Sequence, residues 1–291
     1  MDWLTDFLLR SLDAVLTAGS GFLAPAIFFL SLGYIVKRKA LLEDIRRALP
    51  ETRLNIQIVL FNLVFTVPVI SLAATFLWDF WHSTGLILYA AEDWDSWPVV
   101  LVMLLAIVLG DFVGYWRHRL EHHSILWPSH AVHHSDTEMT WLSLERFHPI
   151  NRITTVAIDS SALLLLGLPP YAVVANFLVR HYYGFFIHAD LPWTYGKWNI
   201  LFVSPAMHRW HHSADEVAYD SNFATVFGIW DWAFGTHYVP GPCDGPLGVT
   251  DDIEPTLWSQ FTYAFRPRAY AHLFRRKPAP AATTSEVTPA E

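Results

Sequence analysis

Eight of the fifteen histidines fall in three short runs: His118-Arg-Leu-Glu-His122, His130-Ala-Val-His133-His134 and His208-Arg-Trp-His211-His212. Their spacings are HxxxH, HxxHH and HxxHH. On a helix, residues three and four apart share a face, so each run turns imidazoles to one side. A neutral imidazole binds transition metals well, and eight are too many for one ion that takes four to six ligands. The spacing therefore points to a site for two metal ions. Cys243 is the single cysteine, which excludes an internal disulfide and a cysteine-rich metal site. An all-imidazole set suits Fe, Zn or Cu.

A lone HxxxH on a helix is usually structural, but three runs in one chain, two with the same pattern, weigh against that reading. His118-Arg-Leu-Glu121-His122 also fits HxxEH, an inverted zinc-peptidase motif. It leaves the other two runs without a role. A third reading is a non-catalytic membrane protein that uses the histidines for zinc or haem, although haem would need only two of them.

The elements that must position these residues are apolar. The chain of 291 residues is 53% hydrophobic and 16% charged, with a mean hydropathy of +0.28. Soluble domains carry about 25% charge, so this composition indicates a membrane protein. A net charge of −8 gives no footing for nucleic acid. Residues 1–18 place Trp3, Leu4, Phe7 and Leu8 on one helical face and Asp2, Asp6 and Asp13 on the other. That pattern fits a helix lying along the membrane interface or packing as a core helix, and not a cleaved signal peptide. Apolar blocks follow at 20–36, 54–78 and 99–116. The block at 153–187 is broken by Gly167 and Pro169-Pro170, which predicts two half-length helices forming a hairpin. The expected fold is all-α: a multi-pass membrane helical bundle of about four spanning units, one a Pro-broken hairpin, with a cytoplasmic histidine-rich helical cap. Lys37, Arg38, Lys39, Arg46 and Arg47 lie between the first two blocks, and Asp79, Glu92, Asp93 and Asp95 after the second. The positive-inside rule then puts all three histidine runs on the cytoplasmic face.

Local signals refine the site. Asp111, Tyr115, His118 and His122 form one helix stripe inside the third span. An acid there is costly and usually paired. Asp111 reads as an acceptor for an imidazole N–H, or else as a hydrogen bond to a neighbouring helix. Pro128 and Ser204-Pro205 precede the two HxxHH runs, so each run occupies the opening turns of a new helix. The acidic stretches Ser135-Asp-Thr-Glu138 and Ser213-Ala-Asp-Glu216 echo one another, through duplication or through shared helix-end chemistry. His123 points away from His122, His237 lies near the site, and His82, His181 and His272 lack any run. Glu121, Glu145, Asp111 and Asp231 are the carboxylates near enough in sequence to balance metal charge, with plain solvation the other reading for Glu121 and Glu145.

The set Asp111…Tyr115-Trp116-x-His118-Arg119-x-x-His122…Leu126-Trp127-x-x-His130-x-x-His133-His134, with Pro205-x-x-His208-Arg-x-His211-His212, Asn222-Phe223 and Trp230-Asp231-x-x-Phe234-Gly235-Thr236, resembles the fatty acid hydroxylase / sterol desaturase superfamily. The resemblance covers about residues 97–237. It implies an integral-membrane, non-haem di-iron enzyme that uses O2 to hydroxylate or desaturate a lipid, with zinc a possible occupant of purified protein. It also brings in His188 as a ninth ligand, His148 as a possible further one, and Asp111, Asn222 and Asp231 as candidate catalytic residues. The sequence contains no GxGxxG, no CxxCH and no iron–sulfur cysteine set. A separate electron donor is therefore expected: a ferredoxin, a cytochrome b5-like protein or a reductase. The expected organisation is an N-terminal unit (1–96), a catalytic domain (97–237), a cytoplasmic C-terminal segment (238–277) with a membrane-surface helix near 256–274, and a disordered tail (278–291). The expected location is the bacterial inner membrane, or the endoplasmic reticulum in a eukaryote.

Overall fold

The structure is a computed structural model, and it describes residues 3–271. The C-terminal tail expectation lies outside those residues, as do His272 and the facing of most side chains before residue 16. Among the described residues every regular element is helical, apart from one isolated bridge between Ser213 and Leu247.

Helix α1 runs Trp3–Lys37 as one piece, so the amphipathic start and the first apolar block are continuous. Only Arg38, at φ 55°, and Lys39 separate it from α2. The sequence reading set Arg46 and Arg47 between two apolar blocks, and α2 extends through both, Ala40–Thr84, for 45 residues. Its helix widens into a π turn at Asn62–Thr66, just before Pro68, whose ring removes one backbone donor. At about 1.5 Å per residue such a helix is roughly 68 Å long, about twice a bilayer core. One half, which exposes Leu72 and Phe76, is apolar enough to cross a membrane, and the other reaches the histidine region. Helix α3, Val99–Glu121, is the third segment long and apolar enough to span. Helix α4 is Trp127–His134.

The hairpin forms as its prolines demand. Helix α5 (149–165) ends before Gly167, and α6 (Pro170–His188) starts with Pro170 in its first turn. Gly167 has φ +62°, and its Cα lies against the Tyr89 carbonyl. Ala106 of α3 packs against Ala172 of α6 in one apolar cluster with Trp94 and Leu163. Further along the same contact, Gly110 and Gly114 leave room for Asn176 and Arg180. Helix α7 is Pro205–His211, with the Ser204 hydroxyl accepting from Met207 N. Helices α8 (Ile229–Ala233) and α9 (Leu257–Tyr263) complete the cap. Within the described residues, the expected helix near 256–274 is represented by α9 and a short 3-10 turn at Pro267–Tyr270.

The inner half of α2 is fastened to the cap by polar contacts. Arg146, fully buried, donates to Glu51 Oε2 and to Asn55 Oδ1 (3.2 Å), while Asn55 donates to Asp136 Oδ2 (2.9 Å). Asn62 donates to the Phe147 carbonyl at 2.9 Å.

Gly167 tests the hairpin. An added Cβ would sit 1.7 Å from Tyr89 O in a left-handed backbone, so Gly167→Ala should destabilise by about 2 kcal/mol or more. Gly241→Ala, which meets open space, should leave the thermal midpoint unchanged. Equal midpoints for the two variants would refute this account of the turn.

Candidate metal centre

Nine imidazoles converge into two adjacent groups. His118, His122, His130, His134 and His211 form one, and His133, His188, His208 and His212 the other. Within each group every ring offers one nitrogen, all mutually within 4.8 Å. The helical geometry of the runs explains the sorting. Residues i and i+4 share a face, so His130 and His134 meet in the first group and His208 and His212 in the second. The i+3 histidines, His133 and His211, point across into the opposite group. The two HxxHH helices thus exchange their middle ligands, and His134 stacks on His212 at the seam (4.3 Å, 21°). His188 closes the second group from the end of α6, where its Nδ1 meets Gly184 O at 2.7 Å.

The nitrogens that face inward are Nε2. Their nearest separations are 2.9 Å (His118–His211), 3.0 Å (His118–His130) and 3.1 Å (His122–His134) in the first group. In the second they are 3.0 Å (His188–His208) and 3.2 Å (His133–His188 and His208–His212). The chemistry of His118 and His211 shows that a cation fits between them. His118 Nδ1 lies 2.7 Å from Phe223 O, and His211 Nδ1 lies 2.6 Å from Ser221 O. A carbonyl only accepts, so each Nδ1 carries the proton and each Nε2 presents a lone pair. Two lone pairs facing at 2.9 Å repel unless a positive charge lies between them. With metal–nitrogen bonds of about 2.1 Å, these separations subtend roughly 90–100°, as for neighbouring ligands of a five- or six-coordinate ion.

Burial acts with the same sign. His130, His133, His134, His208, His211 and His212 are all held below the ordinary imidazole value, first by burial and then by neighbouring charged groups, chiefly other imidazoles. The rings are therefore neutral and ready to ligate at neutral pH.

The segment 220–227 orients the first group, and it was not evident as a unit from sequence. Asp220 Oδ1 lies 3.3 Å from His122 Nδ1, and the carbonyls of Ser221 and Phe223 hold His211 and His118. Asp220 and Asn222 adopt φ of 56° and 57°, a conformation that Asp and Asn tolerate better than most residues. The doublet Asp220-x-Asn222 was the available signal for it.

The three candidate catalytic residues brace this segment and touch no imidazole. Asn222 donates to Met207 O (3.0 Å) and Tyr238 O (2.6 Å) and accepts from Tyr238 N (2.8 Å). Asp231 accepts from Phe223 N, Ala224 N and Thr236 Oγ1, while burial pushes its carboxyl up to about 7. Asp111 is a correction to the helix-stripe argument. It accepts from Val226 N (3.0 Å), Phe227 N (2.9 Å) and Trp230 Nε1 (3.2 Å) and faces Arg180, not a ring nitrogen. Seven residues separate it from His118, about 10 Å along the helix, so a shared stripe does not bring the two together.

The remaining candidates sort clearly. Glu121 is bound by Arg117 and Thr154, and its nearest imidazole atom is His130 Nδ1, at 3.5 Å on the side away from the ligating nitrogens. It is therefore not placed as the base of an HxxEH peptidase. His148 uses both nitrogens on the protein, accepting from Ile150 N and facing Phe261 O at 3.0 Å, and joins neither group. Glu145 pairs with Arg152, and His123, His181 and His237 stay outside both groups.

Two cavities reach the histidines from different sides. One, of 220 Å³, has apolar walls that include Leu144, Leu163, Val173, Phe177 and Ile187, and it borders His118, His130, His133, His188 and His208. The other, of 560 Å³, is more polar, with Asp220, Asp251 and Asp252 beside His122, His134 and His211.

Asn222→Ala removes three hydrogen bonds and strains a left-handed residue. It should lower metal affinity by about 10–100-fold with helical content retained. Unchanged metal retention during dialysis against chelator would show that the segment does not set the rings. A second expectation concerns acid. Metal-stripped protein should lose thermal stability as pH falls below 6.5, the ordinary imidazole value. There the unfolded chain takes up protons that the buried rings refuse. A flat profile between pH 8 and pH 5 would contradict it.

Comparison with known proteins places this centre in a family. The fatty acid hydroxylase family model matches residues 103–236, a stretch that holds all nine grouped histidines. The ornithine lipid hydroxylase OlsE of Rhizobium tropici is 30% identical over 193 residues, covering 65% of this chain and 58% of that protein. The alkylglycerol monooxygenase of Danio rerio is 31% identical over 70% of this chain and 42% of its own length. The Delta(7)-sterol 5(6)-desaturase erg3C of Aspergillus fumigatus is 28% identical over 76% of this chain and 74% of its own. The chain thus spans about half the length of the first two of these relatives. No solved structure matches it. With the histidine runs, the Pro-broken hairpin and the domain match in agreement, residues 103–236 form a domain of the fatty acid hydroxylase / sterol desaturase superfamily.

Proposed function

We propose that this protein is an O2-dependent di-iron oxidoreductase that hydroxylates or desaturates a membrane lipid, sterol-like or fatty-acyl. The observation that carries the reading is the pair of histidine groups at one apolar cavity, in a bundle whose long helix α2 exposes Leu72 and Phe76 as if to lipid. Two iron ions held there, with O2 as co-substrate, would supply the oxidising power to break an unactivated C–H bond. The nine histidines are the ligands in this reading. Asp111, Asn222 and Asp231 act by holding the 220–227 segment and touch no reacting group.

The chain's own part is positioning. Leu144, Val173, Phe177 and Ile187 give the lipid a dry path to His118, His133 and His208, where a target carbon can be held and water excluded. The polar cavity beside His122 and His211 gives protons a route on the other side. A separate ferredoxin, cytochrome b5-like protein or reductase delivers electrons, and the basic residues after α1 favour a cytoplasmic site. Names such as ornithine lipid hydroxylase and alkylglycerol monooxygenase describe enzymes of amphiphilic lipids. A polar-headed lipid suits the cavity here, since Arg152 and Arg180 also line it.

The test is oxidation itself. Iron-loaded protein in lipid, given a reductant, should consume O2 and form a lipid that carries one labelled oxygen atom or has lost two hydrogens. The variant with His133, His134, His211 and His212 all changed to alanine should lose metal and activity together. Full metal occupancy in that variant, or no O2 uptake by the loaded protein, would sink the proposal.

A further inference from the structure

The two histidine groups differ in what stands behind them. In the first, four of the five rings have a protein partner at Nδ1. Phe223 O and Ser221 O hold His118 and His211, and Asp220 holds His122. His130 Nδ1 faces Glu121 Oε2 at 3.5 Å and the Asn151 amide at 3.4 Å. Asn151 Oδ1 is itself buried without a partner, and turning that amide over would present it to the His130 N–H. In the second group only His188 is held, by Gly184 O. The Nδ1 atoms of His133, His208 and His212 are buried with no hydrogen-bond partner.

Partners behind an imidazole fix its tautomer and raise its basicity. Carboxylates do more, because they offset the charge that five neutral ligands leave uncompensated. The first group has five ligands, two nearby carboxylates and two carbonyls. The second has four ligands, one carbonyl and no carboxylate on any ring. Three of its four members, His133, His188 and His208, also line the apolar cavity.

We infer that the two metal positions are unequal: the five-histidine position binds first and tightly, and the four-histidine position is weak and exchangeable, on the substrate side. Asp220 and Glu121 are then positioning residues for the tight site. This rests on the reading of the histidines as a two-metal centre.

Metal-stripped full-length protein in lipid nanodiscs, titrated with Zn2+ at buffered free concentrations and counted by elemental analysis, tests it. Two steps separated by at least about 10-fold in Kd are expected. His208→Ala should remove the weaker step and leave the tighter one. Asp220→Gly deletes the carboxylate without straining the positive φ, and Asp220 is exposed, so folding should survive. It should weaken the tight step about 10-fold or more, with Asp220→Asn in between, and leave the weak step in place. Two steps of equal affinity, or His208→Ala abolishing the tighter one, would overturn the inference while leaving the two-metal reading intact. Failure to bind any metal would overturn both.

Discussion

An imidazole ligates best with one nitrogen when the other has somewhere to put its proton, and much of this cap follows from that preference. Each inward Nε2 of the first group needs an outward acceptor, and a short segment supplies three of them: Asp220, the Ser221 carbonyl and the Phe223 carbonyl. That segment contains two left-handed residues and has no regular structure of its own. Its shape comes from acids and amides that look catalytic in sequence. Asp111 reaches it from the membrane helix, Asp231 from the short helix after it, and Asn222 ties it to α7 and to Tyr238. The costly buried carboxylates are used to hold backbone N–H groups, which are numerous there and otherwise without partners.

The histidine chemistry was legible because its spacing is helical, and helices translate spacing into direction. The hairpin was legible for a similar reason: prolines at 169 and 170 permit few other local conformations. Less visible was the division of labour within each HxxHH run. Membership of a run gives the side of the helix, whereas the exchange of His133 and His211 between groups depends on how two helices face one another. Asp111 shows the limit of stripe arguments, because a shared face says nothing about distance along the axis or about a loop arriving from more than a hundred residues later. Carbonyl partners leave no mark in a sequence at all. His148 was ambiguous for the opposite reason, since a histidine beside a proline serves equally well as a helix cap, which is its place here.

The charged residues inside the bundle form a second framework, which meets the centre at Glu121 and Asp111. Arg117 joins Asp159 (2.9 Å) to Glu121 (2.7 Å), and Arg180 joins the same Asp159 (2.9 Å) and approaches Asp111. Glycines at 110 and 114 let Asn176 and Arg180 lie against α3. Breaking such a buried set leaves an unpaired charge, which costs more than the set contributes when intact. The relative placement of α3 and the hairpin is therefore sharply specified, even though both present long apolar surfaces that could slide.

Helix α2 has a geometric consequence for selectivity. Glu51, Asn55 and Asn62 clamp the segment 136–147 directly onto a rod that is also long and apolar enough to cross a membrane. The helix runs unbroken from the clamp to the apolar part, through the π turn and Pro68. The height of the histidines above the bilayer midplane is thus set by a ruler built into one continuous segment. A lipid anchored by its headgroup at the interface would be measured against that ruler, and the oxidised position would be chosen by depth, counted in carbons from the head.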